Sequence, residues 1–547
     1  MLNIKENQAK YIIVSLMLFI FLITISSCTA TPKVYNSNEL FTAEDFKSNF
    51  NLNYYSSLLL AIEDINNGTI GENADSNKQD AIAGVFISED KIYAILLKDS
   101  TEVEPLMIQS EMTLNLCGNS LSVNNVLGIG VSSNLIIDGR VEGSSIVIDN
   151  DDGASATAVY VQSGHCQILG GSYIGKTVNA DTFCIVVYKD AILSASDATF
   201  SSTDSGSGMI RTVIVYKDGN ATFTNSTIIG EATDCTIYTI YNEGNIDLKN
   251  CSVKASAETR GCISTYNNGH MTIKDSELSG CSVDFKGSAL SNLGNIEISN
   301  CRINGSSVNQ RGFGIENILN ATIENCDINV SSQVNSYGIC NYENGNITLT
   351  DCNVLAYSNY HSNDNGYASA SIGIIDYGIS TINNCYAMGT HSGVSANGET
   401  TINGGTFESF GHGGIYFCGP GKTSYVRNAI IRSCDMPEGY TYSEDNDNDT
   451  GFYIGGGVGA DNIVVYMDNC DIYGEKYPIV LRGTSGEKNN TLYISNSRIY
   501  SEKRIRIDTL THKLYLGVGN NFDESNTQIQ KCVIKTDNVY VKENIEK

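Results

Sequence analysis

ATFTNSTIIG (residues 221–230), IDLKNCSVKA (246–255), MTIKDSELSG (271–280), IEISNCRING (296–305), ATIENCDINV (321–330) and ITLTDCNVLA (347–356) are one phrase written six times. The small residue behind each Asn or Asp falls at Ser226, Cys251, Ser276, Cys301, Cys326 and Cys352, so four successive spacings are 25 residues and the fifth is 26. A fixed period of this length marks a solenoid, in which each repeat is one coil that buries its inner face only by stacking on its neighbours.

Inside each phrase the apolar residues alternate, which is the period of a strand. In 347–356, Ile347 and Leu349 share a face, Asp351 interrupts, and Cys352, Val354 and Ala356 resume the alternation. Asn and Asp tolerate the left-handed backbone that a tight bend needs. Asn225, Asn250, Asp275, Asn300, Asn325 and Asp351 therefore form a stacked corner, and the small residue after each lies inside it.

Another strand precedes each phrase, read in IVVYK, TVIVYK, IYTIYN, CISTYN, ALSN, GIEN and GICN. Its inward column is Val187, Val215, Ile240, Thr265, Leu290, Ile315 and Ile339, followed by a second amide column, Asn242, Asn267, Asn292, Asn317 and Asn341. Stacked amides hydrogen-bond along the solenoid axis, which suits strands ~4.8 Å apart. Three short strands per coil resemble the right-handed parallel β-helix of the pectate-lyase-like superfamily. The expected fold is all-β, with about 15 such coils over residues 111–523.

Ahead of the coils, Lys5 and Lys10 precede an apolar run over 11–25 that is short for a membrane span. The run ends in Ile25-Ser26-Ser27-Cys28, which resembles a bacterial lipobox. That resemblance implies a signal peptide over 1–27, lipidated Cys28 as the first mature residue, a tether to residue 38 and an extracytoplasmic, membrane-anchored location. Residues 39–110 lack the coil pattern. A helix over 54–65, with Leu58, Ala61, Ile62 and Ile65 on one face, and a hairpin around Glu89-Asp90-Lys91 read as the cap on the first coil. Residues 524–547 read as a C-terminal cap or tail.

After Ala356 the small corner residue recurs at Cys385, Gly405, Ala429, Cys470 and Ser497, at spacings of 33, 20, 24, 41 and 27. The extra length falls mainly in 359–370 and 436–450. Long loops on a rigid scaffold are where function concentrates.

Composition bounds the rest. With 52 Gly, 5 Pro, 31 Tyr and no Trp, the chain is turn-rich. Its net charge of −27 becomes −28 without 1–27, which removes Lys5, Glu6 and Lys10. That argues against nucleic acid and against unassisted binding of polyanionic glycans. Of the 17 cysteines, six share the inward corner column with Ser, Gly and Ala, so small and buried describes them better than paired.

Enzymes with the β-helix fold that this chain resembles act on acidic polysaccharides on the outer surface of one sheet. Lyases of this kind need Arg or Lys as a base near a Ca²⁺-binding carboxylate cluster. The outward columns of the first strand carry one carboxylate, Glu316, and no base over seven coils, so the regular coils hold no lyase site. Gly411-His412-Gly413 resembles a motif of the polygalacturonase family. The companion carboxylate pair that inverting hydrolysis needs is missing, and Arg504-Ile505-Arg506 only approximates that family's downstream motif. Asp445, Asp447 and Asp449 alternate oxygen ligands like the start of a Ca²⁺ loop, but Gly at the sixth position and Glu at the twelfth are missing; a solvated acidic loop is the alternative. Asp149-Asn150-Asp151-Asp152-Gly153 is a fainter instance. No other cofactor is implied.

The same alignment stacks Tyr188, Tyr216, Tyr241 and Tyr266 on four successive coils, as a glycan platform or as ordinary stabilising stacking. Three readings of function follow. The first is a lipid-anchored surface rod that binds or adheres, with a polysaccharide or host-surface glycan as partner. The second is a polysaccharide lyase or glycoside hydrolase on the irregular coils, using His412, Arg427, Arg432, Arg482 and the Asp445 loop. The third is a structural spacer. The lipobox reading predicts acyl chains on Cys28 in membrane-extracted protein. Mass spectrometry that finds an intact, unmodified 1–27 segment refutes it.

Overall fold

A computed structural model describes residues 39–151, 153–358, 371–410, 413–434, 450–455, 460–482, 489–501, 505–507, 512–517, 519–522, 533–534 and 539–541. It is a right-handed parallel β-solenoid of about 15 turns. One coil consists of Cys262–Asn267 on the first sheet, His270–Lys274 on the second and Glu277–Ser282 on the third. Each strand pairs in parallel with its counterpart one coil on, as Cys262 with Gly287, His270 with Asn295 and Glu277 with Arg302.

The bend between second and third sheets is the residue that the repeat singles out. Asn225, Asn250, Asp275, Asn300, Asn325 and Asp351 all have φ between 51° and 55°. The bend persists at Asn384, Asn428, Asn469 and Asn496 through the irregular coils. Behind it, the Cys or Ser is more than small. Cys301 Sγ donates to Ser299 O (3.1 Å) and Ser276 Oγ to Lys274 O (2.7 Å). The amide of each corner reaches the next coil's side chain, as Cys251 N to Ser276 Oγ (3.0 Å) and Cys301 N to Cys326 Sγ (3.4 Å). Ser and Cys interchange because either satisfies an amide that the bend would leave unpaired. Every cysteine among the described residues is a free thiol.

The second amide column is a buried ladder. Asn242 Nδ2 donates to Asn267 Oδ1 (2.8 Å), Asn267 to Asn292 (2.7 Å), Asn292 to Asn317 (2.8 Å) and Asn317 to Asn341 (2.8 Å). All amides point the same way, so the last donor needs an acceptor. It finds Asp376, whose Oδ1 lies 2.7 Å from Asn341 Nδ2. Beyond Asp376 the column continues with Ala396, which offers no acceptor to a sixth amide. A carboxylate ends the chain by accepting only, from Gly378 N (3.1 Å), Ser380 Oγ (2.8 Å) and Thr400 Oγ1 (2.7 Å) as well.

The cap closes the first coil. Ser57 accepts from Leu60 N (3.2 Å) and starts the helix Leu58–Asn67, which ends at Gly68 with φ 70°. Leu58, Ala61, Ile62 and Ile65 face the core as expected. The helix begins later than the sequence suggests, because Ser57 supplies the cap and Tyr54 and Tyr55 pair as strand with Gly84 and Ala83. Asn66 covers the sheet edge, donating to Met107 O (2.6 Å) and accepting from Gln109 N (3.0 Å). The hairpin turns at Glu89 and Asp90, with φ 50° and 63°. A further helix, Ala43–Asn49, carries a Thr42–Asp45 capping box and packs Phe46 among Phe41, Phe50 and Phe86. Parallel pairing starts before residue 111, at Tyr93 opposite Thr113, and runs past 523 to Val541 opposite Leu516.

Glu277, Arg302 and Asp327 share one column on the third sheet, in the order minus, plus, minus. No ion pair joins them. Asn304 Nδ2 donates to Glu277 (3.4 Å) and Asn353 Nδ2 to Asp327 (3.3 Å), so amides rather than the arginine hold the two carboxylates.

The ladder generates a test. Asp376→Ala leaves Gly378 N, Ser380 Oγ and Thr400 Oγ1 without this acceptor in a fully buried position, while Asn341 Nδ2 keeps the carbonyls of Gly345 and Ile379. At about 1–3 kcal/mol per orphaned group, the variant should lose about 3 kcal/mol in denaturant unfolding. An unchanged midpoint refutes the ladder's role.

Candidate functional site

The first sheet is where the alignment needs correcting. Val215 lies opposite Asn242, an offset of 27, whereas Asn220 lies opposite Asn245, an offset of 25. The turn after Val215 closes through its backbone, with Gly219 N to Tyr216 O (2.9 Å) and Asp218 at φ 66°. From Asn242 onward the side chain performs that closure, with Gly244 N on Asn242 Oδ1 (3.0 Å), and two residues are no longer needed. The inward partners of Ile240 are therefore Val213 and Ile185, not Val215 and Val187.

The four tyrosines divide accordingly. Tyr241 and Tyr266 share a column with Val186 and Ile214, while Tyr188 and Tyr216 share the next column with Glu243. Tyr241 and Tyr266 stack face to face at 5.0 Å and 6°, with the Arg211 guanidinium 5.2 Å from the outer face of Tyr241. Tyr188 and Tyr216 meet edge to face at 5.6 Å and 72°. Rings stacked along the axis cover one another, so these four do not make one flat platform. The C-terminal coils carry a longer stack that sequence reading missed. Tyr425, Tyr466, Tyr493 and Tyr515 lie in one column on the second sheet, 5.4, 4.7 and 4.6 Å apart and within 14° of parallel. Its signal was present: Tyr425, Tyr466 and Tyr493 each stand three residues before a corner Asn.

Further along the first sheet the outer face opens into a cleft of about 540 Å³, adjoined by another of about 340 Å³. Phe313 and Glu316 of Arg311–Asn317, Tyr337 and Cys340 of Asn335–Asn341, and Ile375 of Ile372–Asp376 all line this outer face, the first two pairs being three residues apart because the ladder skips Gly314 and Gly338. Tyr342 and Tyr377 follow one column on. Glu316 is buried although it faces outward. Lys286, from the turn before the preceding strand, places Nζ 2.7 and 2.5 Å from its two oxygens and lies 4.8 Å from the Phe313 ring centroid. Tyr342 Oη donates to Glu316 Oε1 at 3.0 Å. Burial first, then the Glu316 charge, pushes the Tyr342 phenol well up, so it stays a proton donor. Burial pushes Tyr377 and the Cys340 thiol up to about 12 each. Arg311 is exposed at the rim.

Lys286 and Arg311 correct the count of bases around the regular coils. Both belong to the ends of turns and strands outside the two outward columns, yet both line the space beside Glu316. Phe313 and Tyr337 tilt at 31° and 5.2 Å, and among the described residues Tyr342 and Tyr377 stack on no other ring.

The candidate arginines of the irregular coils do not converge. Arg427 stands on the second sheet over Tyr425 (5.4 Å), Arg432 on the third sheet paired with Glu408, and Arg482 on the first sheet opposite Gly455. Glu408 is buried and also accepts from Tyr386 Oη (2.5 Å). Cys28, His412, Asp152, Asp445, Asp447, Asp449 and Arg504 lie outside the described residues. Among the described residues, no group of three or more His, Cys, Asp or Glu is placed to hold a metal ion, and no helix is long and apolar enough to cross a membrane. No protein-family model matches the chain, and neither the curated proteins nor the solved structures give a match.

Removing Lys286 strands a buried carboxylate. Lys286→Met should cost about 2–3 kcal/mol, below the ~3–5 kcal/mol of a fully buried pair, because the Lys286 side chain is 36% exposed. Adding Glu316→Gln should recover most of the loss in a double-mutant cycle by thermal unfolding. Full additivity of the two substitutions refutes the coupling.

Proposed function

We propose that this chain is a lipid-anchored, extracytoplasmic rod that binds a saccharide in the cleft between Lys286 and Tyr377. Cys28 supplies the anchor and the solenoid carries the cleft away from the membrane. The observation that carries this reading is the pair of unstacked rings, Tyr342 and Tyr377, beside Phe313 and Tyr337 with Arg311 at the rim. A sugar presents apolar C–H faces and polar edges, which suits aromatic walls with a few fixed polar groups. The ion pair at the floor is internally neutralised, so the cleft adds little charge of its own to a chain of net charge −27.

A second reading, β-elimination on a uronate-containing polysaccharide, is favoured by one observation: Lys286, Arg311 and the protonated Tyr342 surround one carboxylate. In that chemistry an amine removes a proton beside the sugar carboxylate and a phenol donates to the leaving oxygen. Lys286 is engaged by Glu316, which favours binding over turnover.

The mature protein, screened on a panel of immobilised polysaccharides, should be retained by at least one. Tyr342→Ala and Tyr377→Ala should each weaken that retention by about five- to tenfold, with circular dichroism unchanged. Ultraviolet-absorbing unsaturated ends in the eluate would establish the lyase reading. Retention by no polysaccharide would leave the rod a spacer and sink both.

A further inference from the structure

The corner column, followed along the whole solenoid, reads Ser226, Cys251, Ser276, Cys301, Cys326, Cys352, Cys385, Gly405, Ala429, Cys470 and Ser497. Four thiols therefore stand in consecutive coils, while Cys251 and Cys470 have no cysteine above or below. We propose that Cys301, Cys326, Cys352 and Cys385 are a modification site, in which thiols of adjacent coils join as disulfides as the solenoid closes.

Register carries the argument. Cys301 and Cys326 immediately precede Arg302 and Asp327, which lie opposite each other, and Cys326 and Cys352 precede Asp327 and Asn353. Paired strands stand ~4.8 Å apart, inside the ~4.4–6.8 Å that Cα atoms of a disulfide span. The side chains point into the same corner, where Cys301 N lies 3.4 Å from Cys326 Sγ. Each of the four thiols donates to the backbone carbonyl two residues before it, at Ser299, Glu324, Thr350 and Asn383, so all four are held alike in one corner. The column is thus continuous over four coils, and rotation about Cα–Cβ, with loss of these bonds, brings neighbouring sulfurs together.

Each bond forms between two sulfurs that together give up two protons and two electrons. A protein or small-molecule disulfide takes them, its own S–S bond breaks, and it leaves as two thiols. All four thiols are 1–3% exposed in the closed solenoid, so the exchange belongs to the stage when coils are still docking. Cys251 meets the same oxidant but faces only the hydroxyls of Ser226 and Ser276. It is the internal control, as is Cys470 between Ala429 and Ser497.

The test folds the mature full-length chain from denaturant with oxidised glutathione, then blocks free thiols in denaturant and maps the digest by mass spectrometry. Cross-linked peptides should join column neighbours only, as Cys301–Cys326 and Cys352–Cys385 or as Cys326–Cys352, with Cys251 and Cys470 blocked as free thiols. The oxidised protein should melt several degrees above the reduced protein, and a reductant should reverse the gain. Cys326→Ser should leave Cys301 free and retain Cys352–Cys385. Four free thiols in a natively folded, oxidant-treated chain overturn the proposal. So do cross-links between non-neighbours such as Cys251 and Cys470, or a chain that folds only when reduced.

Discussion

One bend governs this molecule: the residue between second and third sheets that adopts φ near 52° in coil after coil. Asn and Asp enter that region at low cost, and their side chains then join neighbouring coils, Asn325 Nδ2 donating to Asn300 Oδ1 (2.8 Å) and Asn300 Nδ2 to Asp275 Oδ1 (3.0 Å). Once the bend is fixed, the residue behind it must be small. Its amide needs a partner, which the next coil's Cys or Ser supplies. The strands on either side then fall into register, with one face of each committed to the core. The core runs unbroken from the cap helix at Leu58 to Leu516. Loops can lengthen between coils without disturbing it, because the bend is restored at Asn384, Asn428, Asn469 and Asn496 each time.

Much of this was legible because the bend needs particular residue types. Asn and Asp at a fixed period, with an alternating apolar pattern on either side, specify strand, corner and stacking at once. The buried ladder was legible for the same reason, since five asparagines at one position have few uses other than one another. Its ending was not, because Ser380 and Thr400 reach Asp376 only through the fold of later coils. The register of the first sheet was misread for a specific physical reason. A turn closed by backbone at Tyr216–Gly219 and a turn closed by the Asn242 side chain differ by two residues. Both are followed by the same Asn column of the second sheet. The shortening shows only as a drop in corner spacing, from 28 residues between Ala198 and Ser226 to 25 between Ser226 and Cys251, which does not say which turn lost them.

The cleft was hidden by a related effect. Column counting ranks residues by their strand positions, and Lys286 stands one residue ahead of its strand, Gly287–Asn292. A long side chain from a turn reaches over its neighbour, so Lys286 finds Glu316 one coil away. Outward-facing carboxylates on a solenoid would ordinarily be solvated. Burial of Glu316 by Lys286, Tyr342 and Phe313 is thus a departure from the repeat. It occurs two coils before that of Cys385, where the spacing lengthens to 33. The regular run and the irregular coils meet at this place. The Ile375 and Tyr377 wall of the cleft comes from the lengthened coil, while Phe313 and Glu316 come from the regular one.

The tyrosines show how register alone assigns the same side chain two fates. Where aromatic residues of the second sheet occupy the same column in successive coils, their rings lie face to face, as at Tyr466 and Tyr493, 4.7 Å and 6° apart. The ring faces are then consumed by one another, and each added coil strengthens the stack while exposing only edges. Tyr342 and Tyr377, one column beyond Phe313 and Tyr337, stack on no other described ring, and their faces stay open toward a shared space. Repetition therefore favours stability, and departure from repetition creates a surface that can be filled by something else. On a solenoid, the place to look for a ligand is the position where the aromatic column changes, not the position where it is longest.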